Sequence, residues 1–192
     1  MIREAIIKDL IRDKDVLDIG SVGQSDEYSL WKLYQDSNLK SLTGIDLPNA
    51  KNVAKEEFHL NNMNNDTRIV FGNMETHQFG HGFDVIVAGD VIEHVENQGH
   101  FLRNIWRHLN DDGKLILTTP NAKWPTVFFK PNITHTFWHD KYTLARISEL
   151  TGFEIEFFRY YYGNKPSYPF ALRPLLLRQS LLVICRKSQP AL

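Results

Sequence analysis

Short apolar runs recur along the chain, separated by segments whose apolar residues return at helical spacing. Residues 16–20, Val-Leu-Asp-Ile-Gly, read as a buried strand that ends in an acid and a glycine. Residues 41–47 repeat the pattern and again end near an acid, Asp46, before Pro48 stops the strand. Further strands are expected at 68–72, 83–88, 114–119, 153–162 and 181–186. Between them lie the helical patterns. Ile2, Ala5, Ile6 and Leu10 share one face of an opening helix. Residues 27–35 read as a short helix with Tyr28, Leu30, Trp31 and Tyr34 partly buried. Phe101, Leu102, Ile105, Trp106 and Leu109 follow helical spacing, and Asn110-Asp-Asp-Gly113 ends that helix. Residues 142–150 form the last helix, stopped by Thr151-Gly152. The polar run at 61–65 reads as a loop.

Strands alternating with helices predict a mostly parallel sheet covered by helices on both faces. The last two strands break the alternation. Their connection, 163–180, carries Pro166, Pro169 and Pro174 and no helical pattern. A link without a crossover helix favours antiparallel pairing. The expected fold is therefore α/β, a doubly wound seven-stranded sheet with one antiparallel strand near the C-terminus. No repeat or linker divides it, so residues 1–192 are expected to form a single domain.

Composition narrows the function. With 42% hydrophobic and 23% charged residues the chain reads as an ordinary globular enzyme. A formal net charge of −1 and no Lys/Arg cluster argue against nucleic acid as a partner, because phosphate binding needs cations. The single cysteine, Cys185, allows no intrachain disulfide and reads as core. The opening residues lack a signal-peptide pattern, and no apolar run is long enough to span a bilayer, so a cytoplasmic location is expected. Without a secretory signal, the sequon Asn132-Ile-Thr134 reads as a chance match. No large N-terminal lid is expected before the first strand.

The first turn carries the first chemical signal. A strand, a glycine turn, a helix and an acid closing the next strand are the layout of a nucleoside-binding crossover. The turn reads Gly20-Ser-Val-Gly23-Gln-Ser25, without the second glycine that seats a pyrophosphate. A nucleoside without a pyrophosphate remains compatible. The plainer alternative is a pair of ordinary turn glycines.

Five motifs stand in one order: 16–20; Gly44-Ile-Asp46; Phe71-Gly-Asn-Met-Glu75; the run from Phe83 to Glu93-His94; and Gly113 to Pro120-Asn121. In this order the chain resembles the class I S-adenosylmethionine-dependent methyltransferases over residues 15–187. Within them it looks most like the small-molecule O-methyltransferase branch that includes the ubiquinone-biosynthesis enzymes. The resemblance implies a Rossmann-like fold with S-adenosylmethionine as cofactor. It implies that Asp18, Gly20, Ser21 and Gly23 surround the methionine portion. Asp46 would accept both ribose hydroxyls, and Leu47 would cover one adenine face. Asn73 would face the adenine amino group, with the Met74 N–H donating to a ring nitrogen. Gly89 and Asp90 would stand near the cofactor's ammonium group. The family usually carries G-x-G-x-G in the first turn, and this chain departs from it.

The chemistry asks for alignment, exclusion of water and, for a protonated oxygen nucleophile, a base. His94, His135 and His139 are the candidates, against a plain loop or cap role. Asp90, Glu93 and His94 would share one face if a helix began there, and with His135 they could hold a divalent ion. Metal-free methyltransferases also carry Glu-His at this place, so a metal is a candidate rather than a requirement. Two aromatic segments are expected to shape the acceptor pocket. One is 122–140, with Trp124, Phe128, Phe129, Phe137 and Trp138. The other is 163–179, with Tyr168, Phe170, Arg173, Leu175, Leu176, Leu177 and Arg178. These point to a small-molecule or glycan-like acceptor, and the arginine-flanked leucines to a weak membrane-surface contact. The alternatives are a nucleic-acid methyltransferase, or a cofactor-binding partner protein without catalysis.

Overall fold

The computed structural model describes residues 2–22, 30–52, 66–124, 131–161 and 179–188. Seven strands form one sheet: β1 (Asp15–Ile19), β2 (Ser41–Asp46), β3 (Asp66–Phe71), β4 (Phe83–Gly89), β5 (Leu109–Pro120), β6 (Phe153–Tyr161) and β7 (Ser180–Lys187). Their spatial order is β3-β2-β1-β4-β5-β7-β6. All neighbours run parallel except β7, which is antiparallel to both β5 and β6. The expected doubly wound sheet with one reversed strand is thus the observed one. The order reverses between β1 and β4, and ligands in such sheets bind beyond the strand C-terminal ends at that reversal.

The central strands are buried on both faces, which explains their near-continuous apolar runs, while β3 and β6 are partly exposed. Along β4, Val85 and Val87 point to one core, and Ile86 and Ala88 to the other. The first core is closed by α1 (Ile2–Ile11) and α2 (Trp31–Gln35), through Ile7, Ile11 and Tyr34. The second is closed by α3 (Gln98–His108) and α4 (Lys141–Leu150), through Phe101, Leu102, Ile105 and Leu144. The buried face of α1 differs from the expected one. Ile7 and Ile11 are buried, Ile6 and Leu10 only flank them, and Ala5 is exposed. Two adjacent apolar pairs four residues apart fit either face, and Ile7 and Ile11 take the deeper one.

Three boundaries also differ. Leu109 leaves the helix with extended backbone (φ −87°, ψ 131°) and pairs with Phe83, so β5 begins there and absorbs the turn expected at 110–113. A register shift between Phe83 and Val85 accommodates the extra residues. The short helix expected over 27–35 is described only as α2, and the loop at 61–65 lies outside the described residues. Residues 92–94 form a turn rather than a helix. Helix α3 starts at Gln98, where the Asn97 side chain accepts the His100 N–H at 3.0 Å.

Candidate functional site

A cavity of about 470 Å³ opens at the C-terminal ends of β1, β2, β3 and β4, where the strand order reverses. Gly20 forms its inner wall with φ +76°, and its N–H donates to the Ile45 carbonyl at 2.9 Å. A Cβ there would stand 2.7 Å from Val91 Cγ2, so only glycine lets the turns after β1 and β4 meet. Asp46 closes β2 on the cavity. The Val22 N–H donates to its Oδ2 at 2.7 Å, and the Leu47 N–H to its Oδ1 at 2.7 Å. Partial burial raises its pKa, and these two donors oppose the rise. Leu47 lies beside it, 48% exposed, as an apolar shelf.

Past β3, Asn73 and Met74 line the same cavity. Asn73 Oδ1 accepts the Glu75 N–H at 2.8 Å, so one lone pair is already committed to a local turn. Met74 is buried, and its carbonyl accepts from Asn104 Nδ2 at 2.9 Å. Glu75 also lines the cavity, a position that the sequence reading did not single out. Its two carboxylate oxygens accept the N–H groups of Glu96 and Asn97, each at 3.1 Å, which ties the β3 turn to the segment before α3. Paired acceptors across a fold have no local sequence signature.

Gly89 and Asp90 end β4 at the cavity. Asp90 takes φ +55°, and its N–H donates to the Thr118 carbonyl at 3.0 Å. Thr118 Oγ1 donates to Asp90 Oδ1 at 3.2 Å. The Asp90 side chain is 42% exposed, toward the cavity rather than away from it. Its enclosed setting raises its pKa, and Arg3, Thr118 and His94 oppose the rise.

Two expected cofactor residues stand back from the cavity. Asp18 is 3% exposed, and Tyr34 Oη donates to its Oδ1 at 2.8 Å. Burial drives its pKa up to about 7, with Asp46 adding to the rise and the Tyr34 bond and Arg3 opposing it. Ser21 is buried over Gly44, where a Cβ would meet its Oγ at 2.6 Å. Neither side chain lines the cavity, because the strand carries Asp18 inward and the turn folds Ser21 onto β2. Gly23 lies outside the described residues.

The donor set fits a cationic nucleoside. Among the described lining residues are the carboxylates of Asp46, Glu75, Asp90 and Glu96, and no Lys or Arg. Such a wall suits a ligand with sulfonium and ammonium charges and repels a pyrophosphate.

The histidines separate into two groups. Glu93, His94 and His135 bring one ligand atom each to within 4.8 Å of one another. Glu93 is 2% exposed and accepts from Thr119 Oγ1 at 3.0 Å. Burial, then Asp90, push its pKa up to about 8. His94 lines the cavity, and its Nδ1 lies 3.1 Å from the Thr134 carbonyl. A carbonyl only accepts, so Nδ1 donates in this contact. The His94 and His135 rings meet edge to face, with centroids 4.7 Å apart. Burial and His94 lower the His135 pKa, which keeps the ring neutral near pH 7. Asp90 does not join this group. Its expected place depended on a helix that begins only at Gln98, and its carboxylate faces Thr118 and Arg3 instead.

His139 is apart from both. It is 4% exposed, its Nε2 accepts from Gln98 Nε2 at 2.7 Å, and it does not line the cavity. The isolated bridge between Asn121 and His139 ties its backbone into the fold. Its ring thus stands outside the lining of the described cavity. Trp124, expected in the acceptor wall, is 7% exposed and packs into the interior. Phe137 and Trp138 remain 42% and 45% exposed. Phe128 and Phe129, together with the aromatic, leucine and arginine residues of 163–178, lie outside the described residues. Among the described residues no helix is long and apolar enough to cross a membrane.

Comparison with known proteins agrees with this geometry. A family profile described as "Methyltransferase domain" matches residues 2–156. The mitochondrial ubiquinone biosynthesis O-methyltransferase of Schizosaccharomyces pombe is 30% identical over 153 residues, covering 73% of this chain and 53% of that protein. The chain thus spans about half the length of this curated relative. An S-adenosylmethionine-dependent methyltransferase from Mesorhizobium loti superposes with a TM-score of 0.72 at 12% identity, covering 97% of this chain and 96% of that one. The N-methyltransferase NodS from Bradyrhizobium japonicum WM9 does so with a TM-score of 0.65 at 16% identity, covering 98% and 96%. At such identities the two structures speak for the fold alone. The chain belongs to the class I S-adenosylmethionine-dependent methyltransferases, and S-adenosylmethionine is its cofactor.

Proposed function

We propose that this enzyme methylates a hydroxyl oxygen of a small-molecule or glycan-like acceptor, with His135 as the base. The observation that carries the reading is His135, whose lowered pKa favours the neutral ring, packed edge to face on His94, which lines the cavity. A neutral imidazole can take the proton of an acceptor hydroxyl near pH 7. Asp46 would hold the ribose, Leu47 and Met74 would enclose the adenine, and Asp90 would face the amino-acid end. S-adenosylmethionine, when bound, supplies an already activated methyl group. The protein has then to orient the acceptor and keep water out, and exposed Phe137 and Trp138 offer apolar faces for that. The name of the fungal relative favours oxygen over nitrogen as the target. The acid-lined cavity disfavours a nucleic-acid acceptor near the site.

The test is a turnover screen with labelled S-adenosylmethionine across sugar, phenol, quinol and RNA acceptors, followed by His135→Ala. Turnover should fall about 10²–10⁴-fold, the usual size of a general-base contribution. Affinity for S-adenosylhomocysteine should stay within about twofold of the parent, because His135 makes none of the cofactor contacts proposed here. Full turnover by His135→Ala on the acceptor it methylates would remove the base.

A second reading rests on the same cluster. Glu93, His94 and His135 would hold a divalent ion, with the Thr134 carbonyl fixing the His94 ring and Thr119 fixing the Glu93 carboxylate. The ion would lower the pKa of an acceptor hydroxyl. Turnover should then vanish in excess chelator and return with Mg²⁺ or Mn²⁺. Undiminished turnover after chelation would leave the imidazole mechanism alone.

A further inference from the structure

Helix α1 delivers one residue to the far side of the cavity wall. Arg3 stands at its start, 16% exposed, with Nη1 3.6 Å from Asp90 Oδ2. Its guanidinium lies over the Tyr161 ring, 5.8 Å from the centroid, and Tyr161 is itself buried. Arg3 does not line the cavity, whereas Asp90 does.

The surroundings make this placement functional rather than decorative. Asp90 holds a left-handed backbone conformation that aims its side chain from the end of β4. Thr118 Oγ1 fixes one carboxylate oxygen, Oδ1. The other oxygen, Oδ2, has Arg3 at 3.6 Å, beyond direct hydrogen-bond length. The two therefore form an ion pair without a direct hydrogen bond, and Asp90 lines the cavity while Arg3 backs it. Desolvation presses Asp90 toward its neutral form, and Arg3, 3.6 Å away, is the first of the groups that oppose this.

We propose that Arg3 is a positioning residue for cofactor binding, which acts through Asp90 by fixing its carboxylate toward the ammonium end of the ligand. This rests on the assignment of Asp90 to the cofactor's amino-acid end. Nothing in the local sequence pairs the two, because a helix before β1 meets the end of β4 only once the sheet is assembled.

The test is a double-mutant cycle read by calorimetric titration of S-adenosylhomocysteine. Arg3→Met should weaken binding about tenfold, the size of one lost charge-assisted contact. Arg3→Lys should recover most of that loss, which a role in helix packing alone would not require. Asp90→Asn should weaken binding by a similar factor, and Arg3→Met with Asp90→Asn should bind no worse than Asp90→Asn. Arg3→Gln replaces Arg3→Met if the latter melts at the titration temperature. Wild-type affinity in Arg3→Met or Arg3→Gln, or losses that multiply in the double variant, would overturn the proposal. If Asp90→Asn alone still weakens binding, the cavity assignment survives that failure. If Asp90→Asn binds like the parent while Asp46→Ala does not, the assignment of Asp90 falls and the proposal with it.

Discussion

Asp18 lies near the end of β1 but does not line the cavity. It belongs to the strand-acid pattern that marks the end of β1, yet the chain turns it into the core against Tyr34. A carboxyl whose folded pKa lies above its unfolded value binds its proton more tightly in the folded chain. Stability then falls as pH rises from its ordinary value near 4 through its folded value of about 7. Asn at this position keeps an acceptor for the Tyr34 hydroxyl and carries no charge. Asp18→Asn should therefore lose less stability than the parent between pH 5 and pH 8, by an amount on the order of a few kcal/mol. Urea unfolding at the two pH values measures the difference, and an equal change in unfolding free energy between them in both proteins would refute it. The acids at strand ends were legible in the sequence because an apolar run ending in Asp marks its own C-terminal end. Which acid faces the ligand was not, because Asp18 and Asp46 differ only in what packs over them. The same limit separates Asp90 from Glu93, whose roles depend on where α3 begins.

At the level of elements, α4 anchors the segment that carries His135 and His139. Asp140 accepts the N–H groups of Tyr142 and Thr143, each at 2.9 Å, and Thr143 Oγ1 accepts the Asp140 N–H at 3.0 Å. This reciprocal cap, with Lys123 beside it, lowers the Asp140 pKa to about 2, the Thr143 N–H being the largest cause. Asp140→Ala should cost about 1 kcal/mol of stability, the usual size of a lost N-cap. It should also lower turnover more than cofactor affinity, since the loop it frees holds the proposed base and no proposed cofactor contact. Unchanged melting would show that the cap contributes nothing. Helix α4 itself was legible from spacing, and so was the reversed strand β7, whose connection carries prolines where a crossover helix would be required. The buried face of α1 was not. Ile6, Ile7, Leu10 and Ile11 offer two stripes, and only packing against Tyr34 and Leu182 selects one.

On the scale of the molecule, the sheet decides where chemistry can occur. The switch between β1 and β4 opens the cavity, and the acids that line it give the field that a sulfonium cofactor requires. The sequence order of strands and acids made the fold and cofactor class legible together. The contacts that finish the site, from Glu75 to the α3 entry and from Arg3 to Asp90, join distant segments and leave no periodic trace. The central claim is that S-adenosylmethionine sits in this cavity with its ribose on Asp46. Calorimetric titration with S-adenosylhomocysteine tests it most directly. The parent protein should bind with 1:1 stoichiometry, and Asp46→Ala should lose about 1–3 kcal/mol of binding free energy through its missing charged hydrogen bonds. Absence of binding at millimolar ligand, or an Asp46→Ala variant that binds as tightly as the parent, would contradict it.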